Sequence, residues 1–405
     1  MEVREKRRLV EKYCGDGMAL EQSKRGRSSI FIAVIAALVF LPLFWAETTI
    51  GTKGDSDFPL HVLYAFDIKN GKPLPAFIVA HSAWQFLLLA FNMVLGLSFP
   101  LAELISILLC VGLTAGILCW WFWPAFQKAN LHLWQMVAIV LGINLTAPIA
   151  LFWFLDQQLY LGYIGIISYH NPTIILLRPL ALLQFIYALK SFQTAPLSKM
   201  NFPVAALISL LATFTKPNFA ICLLPALALI ALYKLVRKEV INLGFLVFGF
   251  LVPMICMLAW QFWVTYHSGD SSHVIFSLLG VMSVYSGYLL PKFFLSILFP
   301  LLVTTLYWKD ASHNLQLIFA WLIFIFGSFF TYFIAESGTR FKDGNFTWSG
   351  EIALFMLFAI STLFFIQVKK SSRISRLASQ AIWIFHVAAG LIYYVFFTLH
   401  ILYIV

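Results

Sequence analysis

The sequence predicts an all-α polytopic membrane protein, a bundle of about 11–12 transmembrane helices with short interfacial helices in its first outer loop. Three observations carry that prediction. Hydrophobic residues fill 61% of the 405 positions and charged residues only 11%, against roughly 25% charged in a soluble domain. Apolar stretches near the roughly 20 residues needed to cross a bilayer recur from end to end. The basic residues cluster between those stretches, at Arg4–Arg8, Lys24–Arg27, Lys190–Lys199, Lys234–Lys238 and Lys369–Arg376, which is the pattern of the positive-inside rule.

In chain order, residues 1–29 read as a polar, basic cytoplasmic arm and 30–405 as one transmembrane domain. The segment 30–47 is followed by no small-residue cleavage site, so it reads as a retained first helix and not a signal peptide. Further spans are expected at 77–98, 101–124, 133–155, 173–190, 202–216, 218–235, 243–265, 290–308, 315–334, 351–367 and 380–404. Lys216-Pro217 divides two short spans, of which 202–216 needs local bilayer thinning to cross. Putting the basic clusters inside leaves the loops 48–76, 156–172, 266–289 and 335–350 outside. One conflict follows: three apolar segments separate the first two outer loops, and an odd number cannot return to the same side. Laying 77–98, which opens with His81, Ser82, Trp84 and Gln85, in the interface or as a re-entrant segment gives about 11 crossings, with the N-terminus cytoplasmic and the C-terminus outside. The alternative is that 156–172 faces the cytoplasm.

Several function classes fall away. The net charge of +10 is spread over the loop clusters and does not indicate nucleic acid. The five cysteines, Cys14, Cys110, Cys119, Cys222 and Cys256, lie in the arm or in apolar spans, so no disulfide framework is expected. A transporter is expected to hold ionisable groups at mid-bilayer and to show repeated halves; here charges collect near one face and no internal repeat is visible.

Four polar constellations remain. The first is Gly54-Asp55-Ser56-Asp57-Phe58-Pro59-Leu60-His61. Carboxylates and imidazole beside lipid are costly and mark a candidate site. Asp55 and Asp57, at i and i+2, can hold a divalent cation through oxygen ligands, or one can act as general base toward a hydroxyl. The plainer reading is helix capping by Asp57 ahead of Pro59. His61 follows Asp57 by four residues, on the same face of a helix from Pro59 to about Ile68 that stops at Asn70-Gly71. The second runs from Tyr160 through Tyr169-His170-Asn171-Pro172-Thr173 to Arg178; an intramembrane guanidinium must pair with a lipid phosphate or, more simply, with Asp156. The third is the Thr213-Phe214-Thr215-Lys216-Pro217-Asn218 hairpin, whose lysine is either a second cation facing an outer cavity or an interfacial lysine. The fourth spans Glu336 to Trp348, with Arg340, Asn345 and Trp348 suited to carbohydrate or to anchoring in the interface. His267, Asp270 and His273 have metal-like spacing but read more simply as a solvated loop.

Together these elements resemble a C-type (GT-C superfamily) membrane glycosyltransferase, in particular its uncharacterised bacterial members. The resemblance rests on Asp57-Phe58-Pro59-Leu60-His61 in the first outer loop, the Gly71-Lys72-Pro73 turn after it, the Lys216-Pro217 hairpin and the Tyr169-His170-Asn171-Pro172-Thr173 element. It covers most of the chain in architecture, through short motifs, and lacks a large C-terminal soluble domain and a Trp-Trp-Asp signature. The resemblance implies a multi-pass protein of a bacterial inner membrane that passes a sugar from a polyprenyl-phosphate donor to a glycan, lipid or protein acceptor at the extracytoplasmic face. Asp57 or Asp55 would be the base, with His61 beside it. Lys216, Arg178 or Arg340 would neutralise the departing phosphate, and His170, Asn171, Asn345 and Trp348 would hold substrate. Lipid-monophosphate donors usually need no metal, so no cofactor is expected, although Asp55 and Asp57 can accommodate a divalent ion. The rivals are a polysaccharide polymerase or ligase on undecaprenyl-linked glycans, and a lipid or solute transporter.

Overall fold

The computed structural model describes residues 2–50, 56–194, 197–267, 272–369 and 372–403, with side chains for all of these except 2–20, 49–50 and 400–403. Asp55 and Asp270 lie outside the described residues.

Helix α1 (Glu2–Trp45) carries the basic arm and the first span as one helix, and closes in a π-helical turn, Ala46–Ile50. The following segment forms α2 (Phe58–Lys69) and a single turn, α3 (Ala76–Val79). Pro59 suits the opening turn of α2, where no backbone donor is needed. Asn70 and Gly71 stop it, Gly71 taking φ 69°, a conformation glycine adopts without penalty. Next come α4 (Ala83–Leu95), α5 (Phe99–Lys128), α6 (Leu133–Leu145) and the turn α7 (Trp153–Asp156). The second half comprises α8 (Pro172–Lys190), α9 (Asn201–Thr215), α10 (Asn218–Val236), α11 (Leu243–Leu246) and α12 (Val252–His267), the last two joined by a π-helical turn, Val247–Leu251. It ends with α13 (Gly280–Tyr285), α14 (Leu289–Leu306), α15 (Trp308–Ala311), α16 (Leu315–Phe333), α17 (Trp348–Gln367) and α18 (Arg373–Tyr403). Two three-residue strands, β1 (Val274–Phe276) and β2 (Ile334–Glu336), pair antiparallel with Val274 opposite Glu336.

Among the described residues, nine helical stretches are long and apolar enough to cross a membrane, and α4, α6 and α9 are shorter apolar helices of 13 to 15 residues. At about 1.5 Å rise per residue those three reach only ~20 Å of a ~30 Å hydrocarbon core. The segment 77–98 is therefore broken and not one span. Its helix α4 is held at its start by Trp84 and Gln85 and at its end by Asn92, which bonds Lys69 of α2 and the carbonyl of Leu97 just before α5. Both ends of α4 thus lie on the face that carries α2.

Helices α8, α10 and α17 start on this face; on the other, α8 and α10 carry Lys190 and Lys234 in their last turns and Lys369 follows the end of α17. Helix α17 is the axis of the bundle: every residue from Ser349 to Phe364 is buried. A helix apolar all round belongs in the interior, and α16 approaches it closely because Gly327 has no Cβ to meet Ala353 and the Ser349 carbonyl. The result is a rigid floor under the face where the polar segments gather.

Candidate functional site

The site begins with a clasp between the residues just before α2 and the start of α8. The Asp57 backbone N–H donates to the His170 carbonyl at 3.0 Å, and Asn171 Nδ2 donates to Asp57 Oδ2 at 2.6 Å. Asp57 stands at the N-cap of α2, but its side chain makes no capping bond there. Its carboxylate is turned to a residue 114 positions away, so capping is not its role. Asn171 caps α8 instead, accepting from Ile174 N at 3.1 Å and from Thr173 Oγ1 at 2.6 Å.

Lys216, in the turn between α9 and α10, reaches into this clasp. Its Nζ donates to Thr173 Oγ1 at 3.0 Å and to Asn171 Oδ1 at 3.4 Å, and lies 4.6 Å from the Trp348 ring centroid. Among the described residues it has no carboxylate within ion-pair distance. Burial pulls its ammonium down to about 8, against the opposing pull of Asp57 and Glu351. The first turns of α8, α10 and α17 meet around it: Asn218 at the start of α10 donates to the Asn345 carbonyl at 2.8 Å and to Ser349 Oγ at 2.9 Å. Helix N-termini carry partial positive charge and free N–H groups. A half-buried cation among three of them, with a carboxylate near but not paired, is built to take an anion.

Beside the cation is a cavity of about 170 Å³, lined among others by Tyr160, His170, Tyr285, Asp343, Trp348 and Glu351. The His170 ring lies 5.4 Å from Trp348 and 6.0 Å from Tyr160, and its Nδ1 is 3.1 Å from Ser168 Oγ. In the floor, Tyr160 donates its hydroxyl to Glu351 Oε2, and Arg178 Nη2 sits 3.5 Å from Glu351 Oε1. Burial and the Glu351 carboxylate hold the Tyr160 hydroxyl far above its usual range, so it remains a donor.

The other predicted residues take different places. Arg178 is buried and pairs with Glu351, not with Asp156 and not at an open phosphate site, because Asp156 is taken by Lys292 at 2.5 Å. His61 is also buried, Nδ1 being 2.6 Å from Gln85 Nε2, and burial depresses it to about 4; it supports the clasp from beneath and does not line the cavity. Arg340 pairs with Glu336 at 3.2 Å and lies 4.9 Å from the Phe77 ring, while Asn345 donates to Glu336. His81 Nδ1 is 2.9 Å from Gln261 Nε2; burial, then the charges of Lys216 and Arg340, depress it to about 3. Among the described residues no group of three metal-ligating side chains converges. His267 stacks on Trp263, centroids 4.1 Å apart.

Sequence reasoning passed over Glu351 and Lys292, although each is a lone charge in an apolar span and such charges mark function or tight pairing. The same signal picks out Glu103, buried in α5 and receiving the Trp84 indole N–H at 3.3 Å.

No family model, no curated protein and no solved structure matches this chain. The functional reading therefore rests on the chemistry of the site.

Proposed function

We propose that this protein is a membrane glycosyltransferase of GT-C type, moving a sugar from a polyprenyl-phosphate-linked donor to an acceptor hydroxyl at the extracytoplasmic face. The observation that carries this reading is Lys216: a cation with no carboxylate within ion-pair distance among the described residues, at the meeting of three helix N-termini and beside Asp57. Holding such a charge near lipid is worthwhile where an anion joins it, and a lipid-borne phosphate arrives at that depth. Lys190 and Lys234 in the last turns of α8 and α10, and Lys369 just past α17, lie on the opposite face and support an outer position for the site by the positive-inside rule.

In the proposed reaction Asp57 takes the proton of the acceptor hydroxyl as its oxygen bonds to the anomeric carbon. The anomeric C–O bond to phosphate breaks on the opposite side, inverting the centre, and the lipid phosphate leaves against Lys216 and the helix N-termini. That stabilisation strengthens in a site screened from water. Asn171 ties base to cation, since its amide donates to Asp57 and its carbonyl accepts from Lys216.

The test is transfer of radiolabelled sugar from a polyprenyl-phosphate sugar to membrane acceptors by protein reconstituted in liposomes. Asp57→Asn removes the base and keeps the shape, so transfer should fall by about 10²- to 10⁴-fold while lipid phosphate still binds. Full activity in that variant would move the chemistry to the polymerase or ligase alternative. Lipid movement across the bilayer without a glycosylated product would make the protein a transporter.

A further inference from the structure

The face opposite the candidate site holds a second and larger cavity, of about 590 Å³, between α15 and the end of α17. Lys309, His313 and Asn314 line one side of it, and Gln367 and Lys369 the other. We infer that this cavity binds the phosphate-bearing headgroup of an anionic membrane lipid. The inference does not depend on the glycosyltransferase reading.

Charge is the first argument. Two lysines and one acid, Asp310, line the cavity, and among the described residues neither lysine has a carboxylate within ion-pair distance. His313 Nδ1 lies 2.8 Å from the Lys309 carbonyl. A carbonyl only accepts, so Nδ1 carries the hydrogen and Nε2 is left to take a proton or a ligand. Asn314 caps α16, its Oδ1 accepting from Leu317 N at 3.0 Å; that bond leaves the amide hydrogens for a ligand. The cavity therefore lies at the N-terminus of a 19-residue helix, where free N–H groups and partial positive charge favour an anion. Shape is the second argument. Phe364 and Val368, both buried, give the cavity an apolar floor. The space holds about 20 waters at roughly 30 Å³ each. A bare phosphate would leave most of it unfilled, whereas a glycerol phosphodiester fills far more. The third argument is the rim. Leu306, Trp308 and Ile318, from the ends of α14, α15 and α16 that adjoin the cavity, are exposed. Tryptophan favours the membrane interface, and the two aliphatic side chains suit acyl chains, which a soluble anion lacks. The positive-inside rule gives this face the cytoplasmic leaflet, whose anionic lipids attract basic clusters.

The full-length protein in detergent is titrated with phosphatidylglycerol and with phosphatidylcholine of the same acyl chains, and bound lipids are counted by native mass spectrometry. Phosphatidylglycerol should bind about tenfold or more tightly, from the attraction of the two lysines. Lys309→Gln combined with Lys369→Gln should erase that preference. So should Gln367→Trp, which keeps every charge and fills the space. Lys128→Gln removes one exposed charge from the end of α5, on the same face, and should leave the preference intact. Inorganic phosphate should not displace the lipid. Equal binding of the two lipids, a preference that survives the double lysine variant or Gln367→Trp, or an equal loss in Lys128→Gln overturns the inference. Displacement by inorganic phosphate also overturns it, in favour of a soluble anion. A preference abolished by Lys216→Met does so too, by placing the lipid at the first site.

Discussion

Substituting Lys216 by methionine keeps the length of the side chain and deletes its charge. A unit charge 4 Å from a phosphate contributes about 4 kcal/mol at an effective dielectric near 20. Part of that is offset by the dehydration both partners undergo, and the net value of a hydrogen bond to a charged group is about 1.5–3 kcal/mol. At about 1.4 kcal/mol per decade, Lys216→Met should weaken polyprenyl-phosphate binding by roughly 10- to 150-fold. The Thr173 and Asn171 oxygens that the ammonium occupies are left facing the site, which adds to the loss. The assay is equilibrium binding in nanodiscs across pH. Burial holds the wild-type ammonium near 8, so it is charged below that pH and anion affinity declines as pH rises through it. The second ionisation of a phosphate, at about 6, is complete before this window opens, so the decline reports the lysine. Lys216→Met should show no step there, and Lys216→Arg should bind well and hold its affinity to higher pH. Wild-type affinity in the methionine variant, or a step near pH 8 that persists in it, would refute the assignment of Lys216 as the phosphate cation.

Two further outcomes follow from buried charge. Asp156→Ala strands Lys292, whose side chain is wholly buried, and should cost about 3–5 kcal/mol, read as a lower unfolding temperature in detergent; adding Lys292→Met should restore most of it. Acid should loosen the site face, because His61 and His81 are held near 4 and 3 by burial against an ordinary value of 6.5. Both are neutral when folded, so their contribution is intact above about pH 6.5 and is lost as pH falls toward 4 and then 3 while the unfolded chain takes up protons; a thermal-shift series with His61→Gln, which flattens the first part of that decline, measures it.

Much of the architecture could be read from the chain. Apolar runs bounded by basic clusters are a one-dimensional signal, because bilayer thickness is the ruler; among the described residues nine of the expected spans hold helices long and apolar enough to cross, while 77–98, 133–155 and 202–216 hold only shorter ones. The imbalance of three segments between the first two loops expected outside marked 77–98 as irregular, and it is broken into α3 and α4. At the site, Asp57, His170, Asn171, Lys216 and Trp348, chosen as separate clusters, lie in one contact network. Residue type could not say which partner each one meets. Arg178 had an acid 22 residues away in Asp156, but that acid belongs to Lys292, and the guanidinium takes Glu351.

What the sequence determined alone was therefore what must be buried in lipid and what must not, since hydropathy and charge act residue by residue. Which polar side chain faces which was decided by tertiary structure, because those pairs lie 45 to 191 positions apart and are set by how helices pack around α17. An ion pair or a hydrogen bond falls off over a few ångströms, so only that packing could bring Asp57 against Asn171 and leave Lys216, among the described residues, without an acid within ion-pair distance.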